Sequence, residues 1–240
     1  MCINVILSGL YYLIKYNFSY YNIMIHESAK ISLLIQFITG IINFDALSID
    51  VPHDKQIFKD LLNVELSVQT VEFIYYFWMV TNLSYNQNIT PTRYLDWIIT
   101  TPTMLVTLMA YLDSSNTKNL KSFIKSNKKV IVEVTVLNFI MLLFGLLSEF
   151  KILNTKTAVA LGFIPFALYF KIIYNKFITK NTTTQQTQIY GLFLIIWSLY
   201  GVAALLHYNE KNTMYNILDL FAKNFFGILL VYIVRANRIK

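Results

Sequence analysis

The sequence has little of what marks soluble proteins, and each absence excludes a class. Cys2 is the single cysteine in 240 residues, so neither a disulfide framework nor a cysteine-based metal site is expected. Four prolines and seven glycines exclude collagen-like and low-complexity chains. Only 14% of the residues are charged, whereas soluble domains average about 25%. An ordinary soluble or disordered protein is therefore excluded.

Apolar stretches are instead abundant, since 56% of the residues are hydrophobic and the mean hydropathy is +0.51. A helix that spans a bilayer needs about 20 mostly apolar residues. Seven segments approach this length, at residues 29–48, 60–83, 92–112, 129–148, 157–178, 188–207 and 214–234. We therefore predict an all-α membrane protein, a bundle of seven transmembrane helices.

The net charge of +7 would also suit a nucleic-acid-binding protein, but a nucleic-acid face is not threaded through long apolar runs. Lys and Arg concentrate in predicted loops 1, 3 and 5 and at the C-terminus, whereas the other loops hold only Lys151, Lys156 and Lys211. Because cytoplasmic loops carry the positive excess, we predict an N-terminus outside and a cytoplasmic C-terminus.

Residues 1–27 precede the predicted seven-helix domain, which we place at 28–238. The apolar stretch from Ile3 to Ile14 is too short to span a membrane. An interfacial segment, a signal-like sequence and an upstream extension with Met24 as the working start are three alternatives that the sequence leaves open.

Ionisable residues inside the predicted spans carry most of the functional information, because each is costly in hydrocarbon. Asp219 and Lys223 share one face of the last helix at i, i+4. One interpretation is a structural ion pair. The other is a lysine that forms a Schiff base with a carbonyl cofactor, with Asp219 in its counterion.

The third span adds a second carboxylate, because Arg93, Asp96 and Thr100 lie along one side of that helix. The motif Arg93-Tyr94-x-Asp96-Trp97-x-x-Thr100-Thr101-Pro102, together with Asp219-x-x-x-Lys223, resembles the microbial rhodopsins, seven-helix proteins that bind retinal. The resemblance implies that Lys223 carries retinal as a Schiff base. Asp96 would be the primary counterion and proton acceptor, Asp219 the second counterion, and Arg93 an extracellular-side switch.

The same resemblance predicts a retinal pocket and Tyr76 as a hydrogen-bond partner of the second counterion. The pocket residues are Trp97, Thr100, Thr101, Met141, Gly145, Trp197 and Tyr200. Gly201 stands where the family usually has proline, Ala204 where a pocket tryptophan is common, and Asn138 where some pumps have a carboxylate. These departures bear on the shape and colour of the pocket rather than on retinal binding.

Retinal binding does not by itself decide function, because one fold hosts pumps, channels and sensors. The family's usual cytoplasmic proton donor position holds Thr107, so a pump would be poorly equipped to return its proton. In the second span Glu65, Gln69 and Glu72 lie on nearly one helix face. Such a stripe is either a structural hydrogen-bond seam or the lining of an ion path.

The motif Asp219-x-x-x-Lys223-Asn224 resembles that of channelrhodopsins. In those proteins a serine of helix one, a glutamate of helix two and the asparagine of this motif form a central gate. The matching residues are Ser32, Glu72 and Asn224, and Glu65 matches a second glutamate nearer the cytoplasm. The Glu-x-x-x-Gln-x-x-Glu pattern also resembles viral rhodopsins, one branch of which acts as light-gated cation channels inhibited by calcium.

We therefore expect a light-gated cation channel, not an enzyme, in which proton transfer to Asp96 is coupled to opening. Its expected partners are the lipid bilayer and monovalent cations or protons, with calcium and a second copy of the chain as further candidates. No resident metal is expected, because His26, His53 and His207 lack ligand spacing. The expected location is a host-cell membrane if the chain is viral.

Two alternatives to a channel stay open. In an outward proton pump, Glu65 would face Thr107 and serve as the cytoplasmic proton donor. A photosensor would signal through a partner protein, although the sequence ends about six residues after the last span, with no predicted transducer domain.

Overall fold

The structure, a computed structural model, describes the backbone of residues 2–82 and 88–239 and the side chains of residues 23–82 and 88–239. Seven long helices and no strand occur in these ranges. The helices are α1 Cys2–Ala46, α2 Gln56–Asn82, α3 Arg93–Leu112, α4 Leu120–Glu149, α5 Thr155–Phe177, α6 Thr184–Ala203 and α7 Tyr208–Ala236. A short 3-10 turn, His53–Lys55, precedes α2, and residues Leu220–Asn224 of α7 form a π-helical turn.

The prediction of a seven-helix membrane bundle is confirmed. By length and apolarity alone, five described helical stretches qualify as spans: Ile23–Ala46 of α1 and the whole of α3, α4, α5 and α7. Helix α2 is less apolar because Glu65, Gln69 and Glu72 are on its inner face, where they are buried. Helix α6 begins with the polar run Thr184–Gln188.

Several helices begin earlier than hydropathy predicts. Helix α4 begins at Leu120 rather than near residue 129, because the Asn119 side chain accepts a hydrogen bond from the Ser122 amide at 2.9 Å and caps the helix. Thr183 and Gln186 form a capping box that starts α6 at Thr184. The predicted starts were wrong because first turns that are charged, as in α4, or polar, as in α6, were interpreted as loops. Residues 83–87 of the predicted second loop lie outside the described residues.

Helix α1 is continuous from Cys2 to Ala46, and its stretch Ile23–Ala46 is apolar enough to span a membrane. The predicted N-terminal segment 1–27 falls mostly on residues 1–22, whose side chains lie outside the described residues. Its three alternative interpretations therefore stay predictions.

The bundle has an apolar outer surface, and its largely apolar interior also holds buried polar side chains. Large apolar side chains such as Phe44, Ile74 and Leu95 are more than 60% exposed, as contact with lipid requires. The buried polar side chains concentrate on the inner faces of α1, α2, α3 and α7. Any site for ions or a polar group therefore lies between these four helices.

Candidate functional site

Lys223 lies in the π-helical turn of α7 and is 2% exposed. Its Nζ atom is 2.6 Å from Asp96 Oδ2, 3.6 Å from Asp219 Oδ1 and 3.5 Å from Glu72 Oε1. The structure thus brings together the lysine and both carboxylates predicted beside it. It adds Glu72, which the sequence associated with a gate rather than with this amine.

Asp219 is held by three groups from three other helices. The Tyr76 and Tyr200 hydroxyls donate hydrogen bonds to its carboxylate at 2.7 and 2.6 Å, and Arg93 Nη1 lies 3.6 Å from Oδ2. The contact expected for Tyr76 is therefore present. Because both oxygens of Asp219 are hydrogen-bonded, its charge is firmly stabilised in the buried site.

Two asparagines fix Arg93, and the sequence reasoning missed both. Asn212 Oδ1 accepts a hydrogen bond from Arg93 Nε at 3.0 Å, and Asn216 Oδ1 accepts one from Arg93 Nη2 at 2.5 Å. A signal was available, since Asn212, Asn216, Asp219 and Lys223 recur at i, i+4, i+7 and i+11 and share one face of α7.

Arg93 and Lys223 face three carboxyl groups, so the charges of this cluster would not cancel if all five groups were ionised. All five residues are at most 2% exposed. Among the described residues, both oxygens of Glu72 and Oδ1 of Asp96 lack a hydrogen-bond partner. A buried ionised group needs compensation, so these oxygens are the ones available to take up a proton or a cation.

A cavity of about 820 Å³, including its open mouth, extends from Lys223 between α3, α4, α5 and α6. Six predicted pocket residues line it: Trp97, Thr101, Met141, Gly145, Trp197 and Tyr200. Thr100 is not in the lining, and its hydroxyl donates to the Asp96 backbone oxygen of its own helix at 3.0 Å. Tyr76 lies beside Asp219 rather than in the lining. The sequence missed other lining residues, among them Tyr94, Met104, Leu142, Phe163, Phe166 and Tyr215.

The departures from the usual pattern also bear on this cavity. Gly201 and Ala204 are in its wall, and a Cβ at Gly201 would lie 2.7 Å from the Phe163 ring. The small residue thus lets Phe163 pack against α6. Asn138 Nδ2 donates to Thr101 Oγ1 at 2.7 Å, which joins α4 to α3 without a charge.

The predicted gate residues are distributed over different contacts. Ser32 Oγ donates to the backbone oxygen of Asn216 at 3.0 Å, so Ser32 is hydrogen-bonded to neither Glu72 nor Asn224. The side-chain Oδ1 of Asn224 accepts a hydrogen bond from Thr39 Oγ1 at 2.5 Å, and Asn224 Nδ2 has no partner among the described residues.

Glu65, the second predicted pathway glutamate, lies away from Lys223. Its Oε1 accepts a hydrogen bond from the Thr107 hydroxyl at 2.6 Å, and its Oε2 has no partner among the described residues. The predicted proximity of Glu65 and Thr107 is therefore present.

These features fit a retinal protein. The cavity is largely apolar and aromatic, as a polyene requires. Lys223 supplies the one amine among the described lining residues, and carboxylates beside it match the charge of a protonated nitrogen. Residues 27–237 match the family model of bacteriorhodopsin-like proteins, and the chain belongs to this family of multi-pass membrane proteins, whose cofactor is retinal.

Solved structures of microbial rhodopsins share the fold. The viral rhodopsin OLPVRII matches with a TM-score of 0.77 and 26% identity over 88% of this chain and 98% of that one. A blue light-absorbing proteorhodopsin from Med12 matches with a TM-score of 0.69 and 20% identity, over 88% and 96% of the two chains. Xanthorhodopsin, a light-driven ion pump with dual chromophore, matches with a TM-score of 0.72 and 16% identity, over 91% and 95%. No curated protein matches the sequence.

Replacing Lys223 tests the assignment of the attachment residue. We expect Lys223→Ala to leave the protein without visible absorption after addition of retinal, because the cavity then has no amine. The measurement is an absorption spectrum of the purified protein. Lys171→Ala is the matched control, since Lys171 is exposed on α5, and it should keep the visible band. A visible band of normal strength in Lys223→Ala would contradict the assignment.

Proposed function

We propose that the protein is a light-gated cation channel. The observation that carries this proposal is the set of buried polar side chains along the inner faces of α1, α2 and α7, several of which have no hydrogen-bond partner within the described part of the chain. Glu72 is central to it, because this carboxyl lies 3.5 Å from Lys223 Nζ and has no other polar partner among the described residues. The similarity to a viral rhodopsin at 26% identity supports the seven-helix framework in which these side chains are placed.

When attached to Lys223, retinal supplies the absorption of visible light and a light-driven change of shape. The proton at Lys223 Nζ then passes to Asp96 Oδ2, the nearest acceptor at 2.6 Å. Asp96 is a better acceptor than Asp219, because both oxygens of Asp219 are already hydrogen-bonded to tyrosines, whereas Asp96 Oδ1 has no partner among the described residues.

Loss of the proton from Lys223 also changes the surroundings of Glu72. The positive charge on Nζ, 3.5 Å away, disappears, so the Glu72 side chain is released from its contact with that charge. A carboxyl freed between α2 and α7 draws water and cations into the path, because carboxylates that line a constriction favour cations. Calcium would bind these carboxylates more tightly than monovalent ions and block the path.

The proposal includes the orientation that the basic residues predict, with the N-terminus outside. Arg93, Asn212 and Asn216 then form the extracellular side of the site, and Glu65, Asn43 and Gln69 line its cytoplasmic half. Ser32 also belongs to the extracellular side, because it is hydrogen-bonded to Asn216 and not to Glu72.

Photocurrents under voltage clamp test the proposed function. In cells that express the full chain with retinal, we expect a light-activated current that reverses sign at a voltage set by the external cation concentration. Glu72→Gln should retain the visible band and change the current size, its ion selectivity or its kinetics, because the amide keeps the shape of the side chain and removes its charge. A wild-type current that stays outward at every voltage would contradict the channel.

A second candidate function, a weak outward proton pump, is favoured by one contact. Thr107, which holds the family's usual position of the cytoplasmic proton donor, donates to Glu65 Oε1 at 2.6 Å, so Glu65 adjoins that position. If Glu65 returns the proton, Glu65→Gln should slow the recovery of the dark spectrum after a flash by about tenfold or more. Thr103→Val, on the exposed face of α3, is the control. An unchanged rate of recovery of the dark spectrum in Glu65→Gln would contradict the pump.

A further inference from the structure

Three amide side chains of α1 and α2 are buried and have no hydrogen bonds within the described part of the chain. Gln36, Asn43 and Gln69 are each at most 2% exposed, and both the oxygen and the nitrogen of each amide lack a partner. An unpaired buried polar group costs about 1–3 kcal/mol. A region that holds six such atoms is therefore expected to bind something polar.

Gly227 of α7 is the point at which two of these amides meet. A Cβ at this position would lie 2.5 Å from Asn43 Nδ2 and 2.6 Å from Gln69 Nε2, closer than side chains approach. The glycine is thus required for Asn43 of α1 and Gln69 of α2 to pack against α7 at the same place. We call Asn43, Gln69 and Gly227 the amide layer.

The amide layer lies between the contact of Glu72 with Lys223 and the contact of Glu65 with Thr107. Gly227 is four residues after Lys223, one helical turn further along α7. On α2, Gln69 is three residues from Glu72, which faces Lys223, and four from Glu65, which is bonded to Thr107. Any ion that moves from Glu72 toward the Ala46 end of the bundle between α1, α2 and α7 therefore passes these amides.

We propose that the amide layer is a neutral filter that binds a monovalent cation as it crosses the bundle. The inference rests on the proposed channel function. An amide presents a carbonyl oxygen to a cation or an N–H to water, according to how its terminal group is turned. The number and field strength of such dipoles set selectivity among monovalent ions. Because the layer has no carboxylate, calcium is held at Glu72 or Glu65 instead.

The test compares photocurrents of the full chain with retinal in sodium and in potassium solutions. Asn43→Leu and Gln69→Leu keep the approximate volume and remove the dipoles, so we expect the potassium-to-sodium permeability ratio to change by about twofold or more. Gly227→Ala should strongly reduce the current, because the new Cβ displaces both amides. Gly191→Ala is the matched control, since nothing lies within 4 Å of a Cβ there, and its current should equal that of the wild type.

A further variant tests the filter if the leucine variants fail to fold, as judged by the loss of their visible band. Gln69→Glu adds a carboxylate to the layer. The calcium concentration that inhibits the current should therefore fall by about tenfold or more relative to the wild type. Unchanged calcium inhibition, or leucine variants that fold and keep the wild-type permeability ratio, would overturn the filter alone. A wild-type current that never reverses would overturn the proposed function and the filter with it.

Discussion

The buried ion cluster around Lys223 is the constraint on which the rest of the structure depends. Two cations and three carboxylates from α2, α3 and α7 meet where almost no water reaches them. Such groups persist only when paired and hydrogen-bonded, and this requirement fixes how the three helices pack. The cluster has one more carboxyl group than it has cationic side chains. It therefore takes up a proton or a cation to balance the charge.

Neutral amides flank the charges on both sides. Asn212 and Asn216 fix Arg93 at one end of the cluster, and Asn43 and Gln69 lie beyond Lys223 at the other. An amide is cheaper to bury than a carboxylate and still binds water or an ion. Uncharged amides thus separate the ion cluster around Lys223 from Glu65, the next buried carboxyl along α2.

The sequence predicts much of the charged site because helical spacing and the family motifs constrain it. The pairing of Lys223 with Asp96 follows from the motifs of α3 and α7. The contacts of Ser32 and Thr39 could not be predicted, because they depend on the rotation of α1 against α7, and apolar lipid-facing residues do not define that rotation sharply. The requirement for glycine at position 227 could not be predicted either, because it depends on Asn43 and Gln69 packing against α7 at that point. Helix starts were missed where side-chain caps begin a helix with a charged or polar first turn.

The central claim is that light moves a proton from Lys223 to Asp96, and infrared difference spectroscopy of the retinal-loaded protein in lipid tests it most directly. Illumination is expected to produce a carbonyl band of a newly protonated carboxylic acid. This band should vanish in Asp96→Asn and persist in Glu72→Gln, although Glu72 lies only 3.5 Å from the same nitrogen. A band that survives in Asp96→Asn, or that vanishes in Glu72→Gln, would contradict the account.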